Sequence, residues 1–152
     1  MDSLTVAGDA STACPVETRH DPLACLQACP LFASVPLAPL ARVLGAMEAR
    51  RFEAGEALYT AGEKANALFI ITSGEVALTL PTGRDVSLEG THCGEEAVAG
   101  ISRRICTARA STRVVAWGIP REGLAELTSS HKRFVADAAL ALTAALSGEP
   151  LL

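Results

Sequence analysis

The apolar positions of this chain change period twice. Leu37, Leu40, Val43, Leu44 and Met47 recur at helical spacing. Past residue 50 the apolar runs shorten and turn residues separate them. Leu68 to Ile71 form a β-rich run, Ser73-Gly74 turns it, and Val76, Leu78 and Leu80 alternate away from the turn, the pattern of a hairpin. Upstream, RRFEAGEALYTAGE predicts two extended pieces around Ala54-Gly55-Glu56. Pro81-Thr82-Gly83 predicts a further turn, into RDVSLEG. ICTARAS and RVVAWGI predict two more strands, split by Ser111-Thr112. Beyond Pro120 the helical period returns, and Phe134, Val135, Ala138, Leu142, Ala145 and Leu146 form one apolar stripe.

Breakers and caps set the limits. Asp21 can cap a helix and Pro22 suits its first position, so LACLQAC reads as a short amphipathic helix that Pro30 ends. The second helix is expected over Leu37–Glu48, with Pro39 tolerated in its first turn. After Pro120, Leu124 and Leu127 mark a short helix. Thr128-Ser129-Ser130 is expected to break it, with a serine capping the next helix. Gly148 and Pro150 are expected to stop that last helix. Residues 1–20 are small, polar and aperiodic, and read as a flexible arm. The expected architecture is mainly β with flanking helices. One domain covers 21–149, with helices over 21–49, a β-roll or jelly roll over 50–119, and C-terminal helices over 120–147.

Composition narrows the function. The 152 residues suit one domain with a core, and the net charge of −4 argues against a nucleic-acid face. No run approaches the roughly 18 apolar residues of a membrane span, and the N-terminus lacks the basic and apolar parts of a secretory signal. Cytoplasm is the expected compartment. Five cysteines, an odd number, read as free thiols rather than a disulfide framework. No triad, phosphate-binding Walker loop or metal-catalysis spacing is present, so no enzyme is expected.

The candidate chemistry lies in CGEEAVAGISRR, residues 93–104. This stretch falls between barrel strands and is too helical in composition for a plain hairpin. A short helix there exposes unpaired N–H groups to an anion. Gly94 allows close backbone approach, Arg104 can offer a guanidinium fork to phosphate oxygens, and Glu95 can accept from a sugar hydroxyl. The set describes a pocket for a sugar phosphate. For an isolated Glu95 and Arg104 the plainer reading is an ion pair across a loop.

The span from about Leu31 to Leu146 resembles the cyclic nucleotide-binding domain of catabolite-activator regulators, cyclic-nucleotide-gated channels and protein kinase A regulatory subunits. The resemblance rests on Cys93-Gly94-Glu95, Ala97, Arg104 and Thr107, on AGEALYTAGE, and on ALFIITSGEV with Gly74 at its turn. It implies a cyclic nucleotide-binding β-roll, a double-stranded β-helix with N- and C-terminal helices. It implies that Arg104 pairs with the cyclic phosphate and Glu95 with the ribose 2′-hydroxyl. The N–H groups of Glu96 and Ala97 would cap the phosphate, Gly94 would admit it, and the last helix would close over the base. Cys93 replaces the family's usual aromatic. Ile105 stands where many members carry Ser, Thr or Ala, which leans toward cyclic AMP over cyclic GMP. Arg103 is a second candidate for the phosphate role.

Two further expectations follow. Related oxygen-sensing regulators hold an iron–sulfur cluster with N-terminal cysteines, so Cys14, Cys25 and Cys29, with Cys93 or Cys106, form an alternative cluster site. The bland reading of Cys25 and Cys29 is burial on one helix face, and His20, His92 and His131 read as ordinary surface or loop residues. No residues remain after the last helix for a DNA-binding domain. The output is therefore expected through that helix, to another chain or in a homodimer. A roll with an empty pocket, serving as a subunit of a larger assembly, is the competing structural reading.

Overall fold

The computed structural model describes residues 21–88 and 91–147. The predicted arm, with Cys14 and His20, and the predicted stops at Gly148 and Pro150 lie outside the described residues. The chain begins with α1, Pro22–Ala28. The Asp21 carboxylate accepts from the Ala24 N–H at 3.0 Å, and Pro22 occupies the first turn. A single 3-10 turn, Pro30–Phe32, leads to α2, Leu37–Ala46. The expected helix ran to Glu48. Met47 instead turns extended, and Glu48 opens the first strand by pairing with Gly118.

Eight strands follow among the described residues: β1 Glu48–Phe52, β2 Ala57–Tyr59, β3 Ala67–Ser73, β4 Val76–Thr79, β5 Asp85–Ser87, β6 His92–Cys93, β7 Thr107–Ala110 and β8 Val114–Pro120. They form two antiparallel sheets, ordered β1-β8-β3-β6 and β2-β7-β4-β5. A short helix, α3 Glu96–Ala99, interrupts the strands between β6 and β7. A 3-10 turn at Arg121–Leu124, α4 Ala125–Ser130 and α5 Lys132–Ser147 close the described chain.

Side-chain alternation divides the core in two. Phe69, Val114 and Ala116 point between the sheets, with Phe52, Leu58, Tyr59, Val76 and Leu78. Leu68, Ile70 and Ile119 point the other way, into a cluster with Leu26, Phe32, Val43, Leu124 and Phe134 from the helices. β3 is thus buried on both faces, which is why its apolar run is continuous rather than alternating. The rings of Phe32 and Phe134 meet at 5.0 Å and tie the N-terminal helices to α5.

Two more local expectations change. The run around Ser73-Gly74 is not a paired hairpin. β3 pairs with β6 and β8 in one sheet, and β4 pairs with β5 and β7 in the other. Gly74, at φ +93, passes so close to the β7–β8 corner that a Cβ there would lie 2.1 Å from the Arg113 carbonyl oxygen. Ser111 N–H donates to the Glu75 carbonyl and Glu75 N–H to Thr112 Oγ1, locking the crossing. The other change is at Thr128-Ser129-Ser130, which does not break α4. The Thr128 and Ser129 hydroxyls donate back to the carbonyls of Ala125 and Glu126, and the helix runs to Ser130.

Candidate anion site on the loop between two barrel strands

The stretch 93–104 leaves the interior at β6, makes one helical turn, and returns toward β7. Gly94 sits at φ +91 and Gly100 ends α3 at φ +83. A Cβ on Gly94 would meet the Ala67 carbonyl oxygen at 2.9 Å and Arg104 Nη1 at 3.0 Å, so this glycine, expected to admit a ligand, lies close against β3 and the arginine. α3 is buried on nearly every side, and Glu96 is only 1% exposed.

The structure separates the two arginines. Arg103 is exposed and donates to the Gly62 carbonyl at 3.3 Å. Arg104 turns inward. Its backbone is fixed by bonds to Glu63 O at 2.8 Å and from Gly62 N at 2.9 Å. Its Nη1 donates to Gly94 O at 3.1 Å and Glu96 Oε1 at 3.3 Å, and its Nη2 to Ala67 O at 2.6 Å. The guanidinium carbon lies 4.1 Å from the Tyr59 ring centroid, a cation–π contact in a dry setting. Arg104 Nε is buried without a partner.

The two glutamates also separate. The plainer reading of an isolated pair sets Glu95 against Arg104 across the loop. The arginine's partner is instead Glu96, both side chains being 1% exposed. The second oxygen of Glu96 accepts from the Ile105 N–H at 3.0 Å. Glu95, also buried, accepts from His92 Nδ1. His92, read from sequence as an ordinary residue, is therefore a neighbour of the site. So is Tyr59, which the strand pattern marked only as apolar. The Ala97 N–H, expected to cap a phosphate, donates to Gly94 O at 3.1 Å.

The thiols around the site are poor nucleophiles. Burial pushes Cys93 far above the ordinary range, with the Glu95 charge adding to it. Burial also raises Cys106, to about 11, and holds the Tyr59 phenol well above its usual value. Cys29 lies in the helix-side cluster with its thiol raised to about 11, Cys25 packs against that cluster, and Cys93 lies between the sheets. Among the described residues no three His, Cys, Asp or Glu side chains converge as a metal site. Cys14 lies outside the described residues.

The elements around the site define a class. It is a two-sheet roll flanked by helices, with a glycine-approached arginine on the loop that follows a short helical insert. Residues 49–131 match the family model of the cyclic nucleotide-binding domain, and the chain belongs to that family. It is similar to a Rhodopseudomonas palustris protein named for a potassium channel, 33% identical over 88 residues, which are 55% of this chain and 21% of that protein. The chain thus spans about a fifth of the length of that curated relative. Its structure is similar to that of a Geobacter metallireducens protein named as cyclic nucleotide-binding, with TM-score 0.68 and 21% identity over 78% of this chain and 93% of that one. It is also similar to the regulatory domain of Toxoplasma gondii protein kinase A, crystallised with cyclic AMP. There the TM-score is 0.68 and the identity 17%, over 82% of this chain and 50% of that one. At such identities the solved structures show the fold. Among the described residues no helix is long and apolar enough to cross a membrane.

Proposed function

We propose that this domain is a non-catalytic sensor that takes a cyclic nucleotide at Arg104 and reports it through α5. The observation that carries the reading is Arg104 itself. It is a buried guanidinium on the family's loop, backed by Tyr59, with Gly94 against it and its Nε–H without an acceptor. That is the donor a phosphate oxygen would satisfy. Glu95 stands beside it for the ribose hydroxyl, with the backbone of Gly94, Glu96 and Ala97 around the phosphate. Ile105 brings no hydroxyl, which favours cyclic AMP over cyclic GMP.

The route to an output is short. α3 packs on α5, and Ala145 of α5 packs against the cluster between the sheets. A ligand that moves α3 therefore changes what α5 rests on, a population shift between two packings. The receiver is another protein chain or a second copy, met at α5, where Leu140 is exposed. We place the domain over 21–149, in the cytoplasm, with no direct nucleic-acid contact.

Calorimetric titration with cyclic AMP and cyclic GMP tests this, with Arg104→Lys as control. Lysine keeps a charge opposite Glu96 but loses the planar fork. Saturable binding of cyclic AMP, tighter than cyclic GMP and weakened in the lysine variant, is expected. No saturable heat from folded wild-type protein overturns the reading. One observation favours the competing scaffold role: Arg104 already has a carboxylate partner.

A further inference from the structure

Glu96 is an odd residue for its place. It opens a one-turn helix whose other side chains are small and apolar, and it is almost wholly buried. A carboxylate in such a place is costly unless donors surround it. The donors are there, and their identity is informative. Oε1 accepts from Arg104 Nη1 and Oε2 from the Ile105 backbone N–H. Two oxygens of one anion thus span a guanidinium and the next residue's amide. That is how a protein holds an oxyanion supplied from outside.

We infer that the Glu96 carboxylate is the resident anion of this site, and that a phosphate monoanion binds Arg104 only by displacing it. The inference deepens the proposed function and rests on it for the identity of the ligand. It stands without that reading as a statement about anions in general. The occupant and the ligand carry the same sign of charge, so both cannot lie on Arg104 in a buried setting without strong repulsion. The partnerless Arg104 Nε agrees with this. Glu96 reaches two donors from its place on α3 and leaves the Arg104 Nε–H unmet, while a phosphate has further oxygens that can reach it.

The consequence is a switch that needs no new part. With Glu96 inward, α3 is pinned to Arg104 and to Ile105. With phosphate inward, Glu96 must leave, and α3 must rotate or shift because Glu96 is its first residue. α3 packs on α5, so the displacement is felt where the proposed output lies. The site's affinity is then set by competition between an internal and an external anion. Glu96 becomes the residue that tunes how much ligand the domain needs.

The test uses Glu96→Gln, which keeps the shape and an acceptor for Ile105 but removes the charge. Glu96→Asp is the second variant, keeping the charge but shortening its reach by one methylene. Wild type and both variants, checked by thermal melting, are titrated with inorganic phosphate and separately with cyclic AMP. Glu96→Gln is expected to bind phosphate at least tenfold more tightly than wild type, with its Tm raised by phosphate that leaves the wild-type Tm unmoved. Glu96→Asp is expected to fall between them. Should the glutamine variant not fold, the aspartate variant alone decides, and phosphate affinity no better than wild type overturns the inference. Equal phosphate affinity in all three proteins overturns it too. The cyclic AMP arm on wild type judges the nucleotide reading separately. Phosphate gained by Glu96→Gln with no cyclic AMP bound by any protein keeps the inference and removes the nucleotide.

Discussion

Gly94 and Gly55 offer a matched pair of perturbations. Both have φ +91, yet a Cβ on Gly55 meets nothing within 4 Å, while one on Gly94 meets the Ala67 carbonyl oxygen at 2.9 Å and Arg104 Nη1 at 3.0 Å. Alanine at either site carries the same left-handed backbone cost, roughly 1–2 kcal/mol, partly offset by about 0.4–1 kcal/mol from restricting the unfolded chain. Gly55→Ala should therefore cost about 1 kcal/mol. Gly94→Ala adds the crowding. Ala67 lies in β3, paired to β8, so its carbonyl cannot easily retreat. Arg104 Nη1 is held by two acceptors. Overpacking of this kind costs typically about 1–3 kcal/mol, which brings Gly94→Ala to about 2–4 kcal/mol. Urea unfolding of both variants measures the difference, provided the slope with denaturant is unchanged. Equal costs at the two positions would refute the claim that β3 and the arginine press on Gly94.

The fold was legible where a period lasted. The helix stripes and strand runs read correctly because their side chains repeat against one face, and Asp21 with Pro22 marks a helix start by local chemistry alone. The partition of strands between sheets was not legible. Ser73-Gly74 has the local signature of a hairpin, and only the distant pairings of β3 and β4, with the β7–β8 corner pressing on Gly74, show that the chain crosses over. At the site, the sequence drew attention to Gly94, Glu95, Glu96 and Arg104 but could not say which glutamate meets the arginine. In a one-turn helix buried on all sides, period gives no inward face, so adjacent glutamates look equivalent. Tyr59, the Ala67 carbonyl and His92 come from other strands or from before the motif. Nothing in their spacing tied them to Arg104.

Three further outcomes are expected. Arg104→Met leaves the Glu96 carboxylate buried without its cation and should cost about 3–5 kcal/mol. The double variant Glu96→Leu with Arg104→Met should lose clearly less in urea unfolding than the two single losses combined, and simple additivity would show that the pair is not coupled. Stability should also fall at alkaline pH. The folded state holds the Cys29 thiol proton up to about 11, against an ordinary 9.0, so that contribution is full below pH 9 and is lost as pH rises toward 11. The slope is at most about 1.4 kcal/mol per pH unit for one such thiol. Thermal melts of Cys29→Ala should show a shallower fall over that window, and an unchanged slope would remove Cys29 from the account.

The central claim is that Arg104 receives a cyclic nucleotide, and calorimetry on the purified wild-type protein reaches it most directly. The account predicts saturable binding of cyclic AMP, weaker binding of cyclic GMP, and at least a tenfold loss in Arg104→Lys, as expected when the charge is kept but a charge-assisted hydrogen bond worth about 1.5–3 kcal/mol is removed. Folded protein that gives no saturable heat with either nucleotide, or a lysine variant that binds as well as wild type, would contradict it.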